Sequence, residues 1–241
     1  MNERRNLTVV STREEELTAD ELREQVRASL LAFVDFLYAV VFGLVLAGTY
    51  ERIILSEELS VLNRAGNTIL VLGVFYFLTW DWIHGRLLTL KNPYTGYRRF
   101  FVEVVIAFCG YGAALGAVRG RISFMIGIIL ILMLGAYWAR RTSREYPESP
   151  DIWELWIIQR YQARHAVLVS IVTIAWYYVF GSTITFVESI SFVAFGWVFV
   201  LVYEVIVERT SGIERGPGVP FISRRQLKAV KSFINKHLKP N

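Results

Sequence analysis

The chain has 241 residues, of which 54% are hydrophobic and 20% charged, with a formal net charge of +5. Mean hydropathy is +0.40 and the apolar residues fall into long blocks, which excludes an ordinary soluble domain, where runs are shorter and amphipathic. A single cysteine, Cys109, excludes an intrachain disulfide and a thiolate metal cluster, and in an apolar run it reads as a small packing residue. The pI near 9.4 fits basic loops on a membrane protein, so nucleic acid is not an expected partner.

Residues 1–27 are polar and of mixed charge. The first apolar block begins near residue 28, later than in a secretory leader, so 1–27 is expected to be a cytoplasmic segment. Within it, Leu17-Thr18-Ala19-Asp20-Glu21-Leu22 carries the signature of a helix start running into the first span. About 20 apolar residues cross a bilayer as a helix. Six runs match or approach this length, at Leu30 to Thr49, Thr68 to His84, Phe100 to Val118, Ile122 to Ala139, Ala166 to Thr183 and Ile190 to Val207. Trp80, Trp82, Tyr137 and Trp138 stand at run ends, where interfacial aromatics extend a short span.

The first run contains one acid, Asp35. A carboxylate in hydrocarbon costs on the order of 3 kcal/mol at a helix centre and less near the end, so it needs a partner, water or a use. Asp81, His84 and Arg86 close the second run, and Arg99 and Glu103 open the third. These residues share one predicted depth. Asp35 is therefore expected to meet His84, Arg86 or Arg99 as a polar anchor between helices, with proton relay and interfacial hydration as alternatives. Beyond Asp35, the first run places Val40, Leu44 and Ala47 on one helical face. That stripe suits lipid or core, and becomes a hydrophobic constriction only where copies of the helix meet on an axis.

Span three carries Gly112 and Gly116, a Gly-x-x-x-Gly face suited to close helix packing. The Arg119-Gly120-Arg121 connection is so short that spans three and four form an antiparallel hairpin, as do spans five and six across Ser182 to Ser189. After Pro147-Glu148-Ser149-Pro150, residues 151–162 read as a separate interfacial helix with Asp151 as its N-cap. After Gly216-Pro217-Gly218-Val219-Pro220, the tail spaces Leu227, Val230, Ile234 and Leu238 helically among Arg and Lys. It reads as a basic amphipathic helix on anionic lipid, or as one that binds a partner or packs under the bundle.

Lys and Arg then set the orientation. Segments on the N-terminal side of the membrane carry 22 and those on the other side 4, so both termini are expected in the cytoplasm. The expected architecture is an all-α, polytopic membrane protein with six transmembrane helices over 28–210, flanked by the segment 1–27 and the tail 211–241. A prokaryotic plasma membrane is the expected location.

Catalytic patterns are absent from the sequence. The three histidines, His84, His165 and His237, form no pair at helical spacing, and no nucleophile elbow, phosphate-binding loop, periodic arginine sensor or Thr-Val-Gly-Tyr-Gly filter occurs. No cofactor and no enzyme activity are expected.

Phe33-Val34-Asp35-Phe36-Leu37-Tyr38-Ala39 and the following Leu-Val-Leu resemble the start of span one in the transmembrane protein 175 family of endolysosomal potassium channels and their prokaryotic relatives. Trp82-Ile83-His84-Gly85-Arg86-Leu87 is similar to that family's Trp, His and Arg-Leu sequence. The specific likeness covers about the first 90 residues. Val34 stands where the family motif has serine and Ser29 where it has arginine, with Arg27 about 200° away around the helix. Gly43 stands near the family's pore hydroxyl residue. The resemblance implies a homotetramer with span one lining a pore, apolar rings at Val40, Leu44 and Ala47, and potassium or another monovalent cation as the permeant ion. Two readings follow: a potassium-preferring cation channel subunit, or a non-conducting scaffold or accessory subunit of a larger membrane complex. A transporter or enzyme site around Asp35, Asp81 and His84 is a third.

Overall fold

A computed structural model describes residues 18–57, 59–119, 121–180 and 185–211. The first 17 residues and all of the expected tail except Ser211 lie outside this set, so the amphipathic tail helix does too. The described residues form long helices with no strand. All six apolar runs fall within them, except that residues 181–183 of the fifth lie outside the described set.

Helix α1 spans Ala19–Thr49 and starts where its capping signature places it. The Thr18 hydroxyl accepts the Glu21 backbone N–H at 3.3 Å, and the Glu21 carboxylate accepts the Thr18 N–H at 2.8 Å. One π-helical turn, Tyr50–Ile54, closes α1 and buries Ile53 completely. Arg64 holds the following loop by donating to the carbonyls of Ser56 and Leu59. Helix α2 (Val61–Lys91) is capped by Ser60, whose hydroxyl accepts the Asn63 N–H, and stops at Asn92. Then come α3 (Tyr97–Arg119), α4 (Arg121–Glu145), α5 (Ile152–Phe180) and α6 (Phe186–Ser211). A second reciprocal cap, Thr185 with Glu188, starts α6.

Helices α2, α3, α4, α5 and α6 close a ring by successive contacts, tightest at α3–α4 and α4–α5 and loosest at α5–α6. Helix α1 lies outside the ring, against α3 and α2. It buries Val34, Leu37, Tyr38, Val41 and Val45, one stripe at helical spacing.

Among the described residues, five helices are long and apolar enough to cross a membrane: α1 with its π turn, α2, α3, α4 and α6. Helix α5 is not among them: Glu154, Gln159, Arg160, Gln162, Arg164 and His165 occupy its first half, and the described residues stop at Phe180, before the fifth apolar run ends. The structure also revises the expected interfacial helix at 151–162. That segment is the first part of α5, continuous with the fifth apolar run, and Glu154 and Leu155 within it are fully buried. Asp151 does sit at the helix start, where its carbonyl accepts the Leu155 N–H, but its carboxylate takes Lys91 at 3.0 Å.

The glycine face of α3 is also different from expectation. At Gly116 a Cβ would lie 2.5 Å from the Phe124 backbone nitrogen, so this glycine permits the α3–α4 crossing. Gly112 has nothing within 4 Å of that position and is exposed. Residues four apart on a straight helix are offset by about 40°, and here that offset leaves only Gly116 in the crossing.

Candidate functional site

The middle of the bundle is polar. Two turns of α2, from Trp80 to Arg86, direct successive side chains to different neighbours. Trp82 Nε1 donates to Asp35 Oδ1 at 3.0 Å, and Arg86 Nη2 lies 3.0 Å from Asp35 Oδ2. Of the three expected partners, then, Asp35 meets Arg86. The Tyr38 hydroxyl, one turn further along α1, donates to Asp81 at 3.3 Å. Helix α1 is thereby pinned to α2 at two levels.

His84 faces the other way. Its Nε2 lies 2.8 Å from Glu204 Oε1 on α6, and its Nδ1 lies 3.1 Å from the Trp80 carbonyl. With both ring nitrogens against acceptors, the imidazole donates at both only in its protonated form. Trp80 Nε1 donates to the same Glu204 oxygen at 3.2 Å. The spacing of Trp80 and His84, one helical turn, puts both on the α6 side of α2.

Arg99 is fully buried and far from serving Asp35. Its guanidinium donates to the Asn92 and Pro93 carbonyls at the end of α2 and to Glu145 on α4 at 3.3 Å. The rings of Tyr94, Trp138 and Tyr146 surround it at 5.2–5.9 Å. It acts as a clamp on the α2–α3 turn, because the carbonyls that end a helix need donors. Beside it, Glu103 accepts from the Tyr94 hydroxyl at 2.6 Å, Trp138 Nε1 at 2.7 Å and the Thr89 hydroxyl at 3.3 Å. Burial, reinforced by the Glu103 charge and hydrogen bond, pushes the Tyr94 phenol far above its ordinary range, so it stays a donor.

These groups border a cavity of about 50 Å³ to which all six helices contribute, with Tyr38, Asp81, Glu103, Trp138, Gln162 and Tyr203 on its walls. Among the described residues, no three His, Cys, Asp or Glu side chains gather closely enough to hold a metal ion. Compared with family models, with characterised proteins and with solved structures, the chain matches none.

The pore candidates lie elsewhere. Val40 is 38% exposed, Leu44 44%, and Ala47 is exposed as well, all on the face of α1 turned away from the ring. Gly43 on the same face has no neighbour within 4 Å of a Cβ position.

Sequence reasoning passed over several of these residues. Glu204 interrupts the sixth apolar run as Asp35 interrupts the first, and the same reasoning about its cost would have marked it. Glu154 is fully buried and accepts from the Tyr203 hydroxyl at 3.4 Å. Glu188 takes the Trp176 indole N–H near the far end of the bundle. Gln162 gave no signal of its own, since a lone amide at the start of an apolar run looks like an interfacial residue.

Proposed function

We propose that the protein is a subunit of a cation channel, potassium-preferring, in which α1 lines a pore at the axis of a homotetramer. The observation that carries this reading is the division of α1 into two faces. One face is locked to the bundle through Asp35, Tyr38 and its apolar stripe. The other presents Val40, Leu44 and Ala47 outward, exposed among the described residues. A pore helix needs both properties, a fixed rotation and an uncovered apolar stripe. The resemblance of this stretch to potassium channels of the transmembrane protein 175 family supports the same assignment. The fifth apolar run, Ala166 to Thr183, then supplies the sixth crossing, both termini face the cytoplasm of a prokaryotic cell, and the basic tail meets anionic lipid.

The test is reconstitution into potassium-loaded liposomes with a measurement of mass in nanodiscs. The expected result is a tetramer that releases potassium, with conductance or selectivity changed several-fold by Val40→Asn or Leu44→Asn. A monomer, or no flux at any pH, refutes it.

A further inference from the structure

The cavity at the centre of the ring has an imbalance of charge. Two acids line it, Asp81 and Glu103, and three more stand behind its walls, Asp35, Glu154 and Glu204, each bonded to a wall residue. Two of them have a basic side chain in contact, Asp35 with Arg86 and Glu204 with His84, and Glu154 accepts from the Tyr203 hydroxyl. Asp81 accepts only from the Tyr38 hydroxyl, and Glu103 only from Tyr94, Trp138 and Thr89. Neither has a cationic nitrogen within 4.0 Å. The nearby Arg99 is directed at Glu145 and at loop carbonyls. Every neighbour of the Glu103 oxygens is a donor, which suits an ionised, acceptor-only carboxylate.

An independent observation points the same way. Gln162, on α5, is 7% exposed, lies on the cavity wall, and has a buried Oε1 with no hydrogen-bond partner. An orphaned acceptor in a buried site costs about 1–3 kcal/mol. Gly135 on α4 is what admits this side chain, since a Cβ there would meet Gln162 Oε1. The cavity therefore offers two carboxylates with no basic side chain in contact and one carbonyl oxygen without a partner. Its one unsatisfied cationic nitrogen, Arg86 Nη1, belongs to a side chain already paired with Asp35. An anion would face a net negative wall, whereas a cation would neutralise it. At about 50 Å³ against on the order of 10–15 Å³ per water, there is room for one small ion with a few waters. Among the described residues no three carboxylates, His or Cys side chains gather closely enough to hold a metal, so the site lacks the ligands that a multivalent ion would demand.

We infer that this cavity is a binding site for one partly hydrated alkali cation, held between Asp81 and Glu103 with the Gln162 carbonyl oxygen as a further ligand. The site is complete within one chain and does not depend on α1 meeting an axis. It places a cation behind the buried face of α1, next to Tyr38.

The experiment is equilibrium dialysis of the full-length protein in nanodiscs of zwitterionic lipid, at pH 8 in N-methylglucamine buffer, with radioactive sodium or rubidium as the probe. Infrared spectra of the carboxyl region accompany it. Saturable binding of about one ion per chain is expected, lost in Glu103→Gln and in Asp81→Asn and weakened at least tenfold in Gln162→Leu. Gln162→Leu removes no charge and so reports on the site even if an acid variant fails to fold. The inference is overturned if no ion binds saturably, if binding survives the acid substitutions, or if the spectra show both acids protonated with no ion bound. Loss of potassium flux with retained ion binding would refute the pore and leave this site standing.

Discussion

Arg86→Met removes the charge that neutralises Asp35 while keeping an unbranched side chain of similar length. The two side chains are 29% and 31% exposed, and their atoms are 3.0 Å apart. A fully exposed pair is worth about 0.5 kcal/mol, whereas breaking a fully buried one costs about 3–5 kcal/mol. A pair some seven-tenths covered falls between, at about 2 kcal/mol of coupling. Asp35 also keeps the Trp82 indole, so the stranded acid is not without a donor. Arg86→Met should therefore destabilise by about 2–3 kcal/mol. Asp35→Asn should cost less, about 1–2 kcal/mol, because its amide oxygen still accepts from Trp82. The double variant should fall short of the sum of the singles by about 2 kcal/mol. Reversible unfolding of the four proteins in bicelles, followed by steric trapping, measures this cycle. A coupling under about 0.5 kcal/mol would show that the bond does not pin α1, and the account of its fixed rotation would fail.

Trp138→Phe takes one of three donors from Glu103 and should cost about 1.5–3 kcal/mol, read by the same unfolding assay. Gly116→Leu drives a side chain into the α4 backbone. The α3–α4 crossing should open by at least about 1–3 kcal/mol of overpacking, seen as raised amide exchange across Ser123 and Phe124. Thr18→Ala deletes the first cap of α1 and should fray its opening turn by about 1 kcal/mol, with exchange at Glu21 and Leu22 rising while the bundle is unchanged. The raised Tyr94 phenol binds its proton more tightly folded than unfolded, so its contribution is intact below the ordinary tyrosine value of 10.0. It is lost progressively as pH climbs above that value. Tyr94→Phe should flatten this alkaline loss of stability, and an unchanged slope would contradict the arrangement.

The sequence was most informative where a residue violated its surroundings. Asp35 in an apolar run demanded a partner, and a basic residue at the same depth in the next helix, Arg86, supplies it. The capping box at Thr18 and Glu21 was legible because it is a contact across three residues. Arg99, one of three residues offered as partners for Asp35, binds elsewhere because depth alone says nothing about direction. In the first turn of α3 it points back to the end of α2, where helix-terminal carbonyls outcompete a distant acid. The Trp-rich segment looked interfacial because amphipathic spacing is the same for a helix on a membrane and for one whose polar side enters a buried network. Glu154 and Gln162 belong to the second case. Periodicity could not separate the two, since the deciding groups lie on α4 and α6.

The Trp80–Arg86 stretch of α2 has a mechanical consequence. Through His84 and Trp80 it grips Glu204 of α6, and through Asp81, Trp82 and Arg86 it grips Tyr38 and Asp35 of α1. These grips lie within two turns of a single rigid helix, so α2 works as a crankshaft. A roll of α2 that follows a shift of α6 must turn α1 with it or break its two pins together. Whatever covers the outer face of α1, be it lipid, another copy or an ion path, thus feels the state of a helix on the opposite side of the molecule.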